Sequence, residues 1–192
     1  MYKYKPKLFK NFEIDANIIN ILNTLISMNN LNILFVGDSG CGKTSLINAL
    51  IKEYYANTPY NDDILIINSL KEQGIQYYRT EVKTFCQTRC SIQNKKKIIV
   101  LDDIDNINEQ SQQVFRNCID KYSNNVHFIS SCSNIQKVID SLQSRKIIIK
   151  IKPLNDKSLM KILTKIKINE SISIDKKAEK FILMVCNGSI RI

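Results

Sequence analysis

Gly37-Asp38-Ser39-Gly40-Cys41-Gly42-Lys43-Thr44 places an amine and a hydroxyl directly after a glycine-rich turn. That order, G-x-x-x-x-G-K-[ST], suits a polyphosphate. Glycines let backbone N–H groups converge on an anion that a Cβ would block. Lys43 supplies a compact positive charge for the β- and γ-phosphates, and the Thr44 hydroxyl can ligate Mg²⁺. The flanks agree: Asn32–Val36 reads as a buried strand, and Ser45–Ile51 opens a helix whose N-terminus faces the anion. Residues Gly37 through Ser45 are therefore expected to hold a nucleoside triphosphate.

A second signature lies 59 residues beyond Lys43, where Ile98-Ile99-Val100-Leu101 runs into Asp102-Asp103. Four apolar residues ending in an acid form the pattern in which a strand delivers a carboxylate to Mg²⁺ beside the phosphates. By position Asp102 is the metal-side acid, and Asp103 could orient and deprotonate an attacking water. A guanine reader of the type N-K-x-D is not found. The nearest segment, Asn94-Lys95-Lys96-Lys97, lacks the acid that would accept from guanine, so adenine is preferred.

These residues need a scaffold, and the hydropathy pattern describes one. Continuous apolar runs at Ile33–Val36, Ile64–Ile67, Ile98–Leu101, Val126–Ser130 and Ile147–Ile151 read as strands. Their lack of alternation suits a parallel sheet covered on both faces. Helical patterns fall between them at Lys43–Tyr55, Gln76–Thr88, Ser111–Lys121 and Ile135–Leu142. The expectation is an α/β doubly wound domain with a five-stranded parallel sheet. Past Pro153 only helices are expected, about Asp156–Lys167 and Asp175–Cys186. Residues 1–152 thus read as a nucleotide-binding domain and 153–192 as a small helical lid.

Composition excludes other classes. Hydrophobic residues make up 44% and charged residues 24% of the 192, which fits a folded globular chain. No apolar run approaches the roughly 18 residues that span a bilayer, so no membrane partner is expected. Six scattered cysteines without a C-x-x-C pair point to a reducing, intracellular compartment. His127, the single histidine, lies in the apolar run Val126–Ile129 and reads as a packed strand residue. The net charge of +10 rests on 28 basic residues of which only five are Arg. A basic surface suits nucleic acid, but a Lys-, Asn- and Ile-rich chain also follows from an AT-rich genome, and charge alone decides nothing.

Taken in order, the segments resemble the small subunits of replication factor C, the clamp loaders among the AAA+ ATPases. Lys3-Tyr4-Lys5-Pro6 resembles the K-Y-R-P that opens those subunits; Ile66–Ile75 resembles L-N-A-S-D-E-R-G-I; Leu101–Asp105 resembles L-D-E-A-D. Phe128–Asn134 resembles the sensor 1 stretch F-I-L-S-C-N, Gln143-Ser144-Arg145 the Q-S-R-C segment, and Asn187–Arg191 the sensor 2 sequence G-G-D-x-R.

The resemblance implies roles. Tyr4 and Pro6 would line an adenine pocket, and Arg191 would touch the nucleotide from the lid. Ser133 or Asn134 would hold the attacking water. Arg145 would reach a neighbouring subunit's γ-phosphate as an arginine finger. Arg79, Lys83 and Arg116 occupy positions matching those that follow primer–template DNA phosphates. The implied partners are other subunits of a hetero-oligomer, a pentamer in the family, together with a sliding clamp and primer–template DNA. The implied place is the nucleus or a viral replication site.

Four departures stand out. Asp103 replaces the usual Glu, a shorter arm that leaves slow or absent hydrolysis open as the alternative to a working site. The family's sensor Asn aligns with Ser133 while Asn134 follows, and Lys146 replaces the Cys after the finger. The family's third, collar domain has no counterpart here, which implies a fragment or a different assembly. The expected function is an ATP-binding and ATP-hydrolysing clamp-loader subunit. A non-catalytic structural subunit and another AAA+ replication factor, such as a helicase loader or initiator, are the alternatives.

Overall fold

The computed structural model describes residues 3–56, 58–68, 75–186 and 188–189. Its sheet comprises β1 (Ile33–Val36), β2 (Ile64–Asn68), β3 (Lys97–Asp102), β4 (Val126–Cys132) and β5 (Ile147–Lys150). The order is β2-β3-β4-β1-β5 and every pairing is parallel. All five expected strands are present, each within about two residues of its expected ends.

Strand periodicity splits the core in two. Ile33, Phe35, Ile98, Val100 and Ile129 pack on one face with α1 (Ala16–Ser27) and α2 (Lys43–Tyr55). Leu34, Ile99, Leu101 and Phe128 pack on the other with α3 (Ile75–Gln87) and α4 (Glu109–Tyr122). The result is three layers, helix–sheet–helix, with both faces of the central strands β1, β3 and β4 buried. Beyond the sheet come α6 (Asp156–Glu170) and α7 (Lys176–Cys186).

Two local features differ from expectation. Helix α1 was not among the expected elements, although Asp15 caps it by accepting from Asn17 N at 2.9 Å and Leu22 and Leu25 bury its inner face. The helix expected over Ile135–Leu142 is broken into a 3-10 turn, Ile135–Lys137, and the single-turn α5, Asp140–Gln143. The physical cause is competition for the backbone. The Gln112 side chain accepts from Ile139 N at 2.9 Å and donates to Lys137 O at 2.9 Å. Those groups are then lost to a continuous helical ladder, and Val138 and Ile139 are extended.

His127 meets expectation as a packed residue. It is fully buried, with Nδ1 accepting from Leu31 N at 3.3 Å and Nε2 3.1 Å from Asn29 Oδ1. Burial, aided by Lys96 and Lys95, lowers its pKa to about 3, so the ring is neutral at physiological pH.

Candidate functional site

The site forms where β1, β3 and β4 end, the usual place for ligands on a parallel sheet. Gly37 follows β1, and a Cβ on it would lie 2.5 Å from Ile151 O and 3.0 Å from Cys41 Sγ. The loop therefore passes too close to the end of β5 for any side chain. Gly42 has φ +97°, a conformation that favours glycine, and from it α2 begins at Lys43. Asp38 and Ser39 are exposed, Gly40 and Ser45 half-buried, and Cys41 buried.

Lys43 is only 6% exposed. Its Nζ donates to Gly37 O at 2.6 Å, Asp38 O at 3.0 Å and Ser133 Oγ at 3.2 Å. Thr44 Oγ1 donates to Asp102 Oδ2 at 2.9 Å. The other oxygen of that carboxylate accepts from Ser131 Oγ at 2.5 Å, and Ser131 Oγ in turn accepts from Asp103 N at 3.0 Å. Three segments far apart in sequence, the glycine loop, the end of β3 and the end of β4, are thus joined by side-chain hydrogen bonds. Asp103 lies in the left-handed region, φ 52° and ψ 52°, which turns the chain sharply off β3.

The two sensor 1 candidates separate. Ser133 faces the Lys43 amine. Asn134 turns away, its Oδ1 accepting from Gln136 N at 2.9 Å to cap the following turn. Both backbone N–H groups donate to Asp105 Oδ2, at 3.2 and 3.0 Å.

Arg145 lies elsewhere. It precedes β5, whose first residue pairs Ile147↔Ile33, whereas the glycine loop follows Val36 at the opposite end of β1. Four residues of strand separate them, roughly 13 Å at a strand's rise. Arg145 Nε donates to Asp120 Oδ1 on α4 at 2.5 Å, and Nη1 to Ser141 O at 2.6 Å. Hydrogen bonding from Arg145 holds the Asp120 carboxyl below its ordinary pKa, with the charges of Arg145 and Arg116 adding to the effect. Arg116, one turn earlier, reaches the same carboxylate at 3.5 Å.

Arg79 and Lys83 are exposed one turn apart on α3. Helices α3 and α4 pack together through buried Cys86 and Cys118. Cys86 hydrogen-bonds to Cys118 and lowers its thiol pKa, and the positive charge of Lys83 acts in the same direction. Lys83 is therefore near α4, two residues along from Arg116.

Tyr4 OH and Lys3 Nζ both donate to Glu170 Oε1 at the end of α6, the lysine at 2.7 Å. Pro6 lines a cavity of about 340 Å³ with Asn48, Ile51 and Lys52 of α2 and Ile64 and Ile66 of β2. Arg191 lies outside the described residues.

Sequence reasoning missed Ser131, Asp105, Gln112 and Asp120. Serines inside an otherwise apolar strand, and a glutamine within the apolar stripe Gln112–Phe115–Ile119, were the available signals.

This chain belongs to an ATPase family: residues 33–153 match the "ATPase family associated with various cellular activities (AAA)". Among curated proteins it is similar to the replication factor C small subunit of Sulfolobus acidocaldarius, 31% identical over 98% of this chain and 58% of that one. The replication factor C small subunit of Methanococcus vannielii is 33% identical over 98% of this chain and 60% of its own. A protein of Acanthamoeba polyphaga mimivirus is 30% identical over 98% of this chain and 59% of its own. This chain thus spans less than two thirds of the relatives it matches. Solved structures share the fold: the Thermotoga maritima RuvB Holliday junction branch migration motor superposes with TM-score 0.74 at 16% identity, over 98% of this chain and 62% of that one. AMPPCP-bound DnaA from Aquifex aeolicus gives 0.67 at 18%, over 92% of this chain and 59% of that one. Among the described residues no helix is long and apolar enough to cross a membrane.

Proposed function

We propose that this chain is an ATP-binding and ATP-hydrolysing subunit of a DNA clamp loader, acting with neighbouring subunits, a sliding clamp and primer–template DNA. Residues 1–152 would form its nucleotide-binding domain and 153–192 its lid, within an intracellular complex of the nucleus or of a viral replication site. The observation that carries the reading is the Thr44–Asp102 hydrogen bond of 2.9 Å. It brings the hydroxyl of the glycine loop and the carboxylate of β3 together, as a shared divalent ion requires.

Mg²⁺ fits this pair. One hydroxyl and one carboxylate, with no cluster of three or more His, Cys, Asp or Glu among the described residues, suit an ion that completes its shell with phosphate oxygens and water. Thr44 and Asp102 would hold the ion, which when bound would supply positive charge against the phosphates. The protein's own residues do the rest. The backbone from Gly37 to Gly42 presents N–H groups at the start of α2. Lys43 exchanges the Gly37 and Asp38 carbonyls, which it now holds, for phosphate oxygens. Asp103 accepts a proton from the attacking water, with Ser133 beside Lys43 as the sensor. Tyr4 and Pro6 flank the adenine, and Arg191 contacts the nucleotide from the lid.

The position of Arg145 supports action in trans. It sits at the opposite end of the sheet from its own glycine loop, too far to serve that site, and near the surface where a neighbour can meet it. Release from Asp120 would let the guanidinium reach the neighbour's γ-phosphate. Arg79 and Lys83 on α3 and Arg116 on α4 would follow DNA phosphates, contacts that fix position without reading sequence.

A second reading is favoured by Asp103. Its side chain is one methylene shorter than Glu and starts from a left-handed residue, so the chain could bind ATP and serve assembly with little turnover. The deciding experiment is ATP turnover of the chain assembled with its native partners, with and without primed DNA and clamp. Turnover stimulated by DNA and clamp, and lowered by Lys43→Ala, supports a working site. Turnover indifferent to Lys43→Ala assigns the chain a structural role.

A further inference from the structure

The residue after the finger candidate is a lysine whose side chain lies inside the protein. Lys146 is 7% exposed. Its Nζ donates to Phe128 O at 2.7 Å and Ser130 Oγ at 2.8 Å, both on β4. Strand β1 lies between β4 and β5 in the sheet, so the side chain passes β1 to reach its acceptors. No carboxylate is paired with it among the described residues. Burying an amine with only neutral partners costs free energy that an apolar residue of similar size would not. Its place calls for an explanation other than core stability.

The chain from Gln143 to Lys146 is the arm that carries Arg145. Gln143 Nε2 fastens its start to Val138 O at 2.7 Å. Asp120 touches it from α4 through the guanidinium itself, a contact that must break for Arg145 to reach a neighbour. At the far end, Ile147 N donates to Asn32 O at 2.8 Å. Lys146 is thus the fastening next to Arg145 that ties the arm directly to β4, and like that of Gln143 it survives release of the finger.

We infer that Lys146 is a positioning residue for Arg145: its amine clamps the finger's backbone to β4, so that the guanidinium meets the neighbouring site in a fixed geometry after leaving Asp120. This rests on the reading of Arg145 as a finger acting in trans. Reacting groups displaced by about 1 Å lose on the order of a hundredfold in rate, so a loosened arm is enough for a large kinetic effect without any contact between Lys146 and nucleotide.

The test uses the complex assembled from native partners, with Lys43→Ala in this chain to silence its own site, so that the turnover affected by Arg145 is the neighbour's. Arg145→Ala should lower that kcat by about a thousandfold. Lys146→Met should lower it by roughly tenfold or more, with KM for ATP unchanged. Ser130→Ala, which removes one acceptor, should act in the same direction and less. The double variant Arg145→Ala/Lys146→Met should be no slower than Arg145→Ala alone, because the lysine acts only through the arginine. Should Lys146→Met fail to fold, as thermal unfolding would reveal, Ser130→Ala and its pairing with Arg145→Ala decide. If Arg145→Ala slows turnover while Lys146→Met leaves kcat unchanged, or if the two losses add, the positioning role is overturned and the finger stands. If Arg145→Ala has no effect, the finger reading fails and takes this inference with it.

Discussion

The sheet-bearing part of the chain and its helical end are built to different standards. In β1, β3 and β4 nearly every side chain is buried, and Leu34, Phe35, Ile99, Leu101 and Phe128 are fully so. In α6 only Leu159 is buried, and α7 has no buried residue among those described. Phe181, Met184 and Val185 on α7 are 65%, 79% and 44% exposed. The central strands close their core on both faces, whereas the helical pair leaves apolar side chains without cover from the described residues. The residues proposed to hold phosphates sit on the first kind of structure, where hydrogen bonds such as Thr44–Asp102 and Ser131–Asp102 fix them. A lid, as proposed for residues 153–192, would gain from the second kind, since few buried contacts mean local opening at low cost.

Substitutions can sharpen that contrast. Phe115→Ala, on the buried face of α4, should cost about 3–5 kcal/mol in chemical unfolding. Phe181→Ala on α7 should stay within about 0.5 kcal/mol. Equal losses would mean that α7 is integral to the same core. Hydrogen exchange offers a direct comparison, with amides of β4 protected far longer than those of α7.

A second effect belongs to the sheet side alone. Burial lowers the Lys146 pKa from 10.5 to about 7. Between those values the unfolded chain holds a proton that the folded chain lacks, so stability should rise with pH across that window. The cost of burying the charge is fully present below pH 7 and gone above 10.5. For one proton the slope reaches about 1.4 kcal/mol per pH unit. Lys146→Met should flatten it in urea titrations at pH 7–10, and an unchanged slope would show that the amine titrates normally.

Smaller effects are expected on the outer helices. Alanine at Arg79, Lys83 or Arg116 should weaken binding to primed DNA of any sequence and reduce the salt dependence by about one unit each. A loss that depends on sequence would point to base contacts instead. Least of all, Asp120→Ala should leave thermal stability unchanged, because the pair is on the surface. Its effect should appear as faster turnover at the neighbouring site once the finger is released.

Much of this arrangement was legible in the chain itself. Glycine, lysine and hydroxyl types at fixed spacing announced the tight turn from β1 into α2, and unbroken apolar runs announced a buried parallel sheet, because both signals are local. Helix α1 was legible too, from Asp15 and the spacing of Ile18, Leu22 and Leu25, and was overlooked. What sequence could not show is which polar side chains meet across elements. Gln112 redirects the backbone at Ile139, Asp105 receives the N–H groups of Ser133 and Asn134, and Asp120 holds Arg145. Each joins residues 25 to 29 positions apart, and no periodicity encodes such a pairing. The choice between Ser133 and Asn134 likewise turned on where a strand ends, and β4 runs two residues further than its apolar run suggests.

The most direct test concerns Asp103 in the chain assembled with its partners, with primed DNA and clamp present. ATP affinity and single-turnover hydrolysis would be measured side by side for the native chain and for Asp103→Asn, with Arg145→Ala in this chain to quiet the neighbouring site it is proposed to serve. The expected result is unchanged affinity with hydrolysis at this chain's own site slowed by at least about a hundredfold. Unchanged affinity together with unchanged hydrolysis would contradict a working site built on the Lys43–Thr44–Asp102–Asp103 constellation.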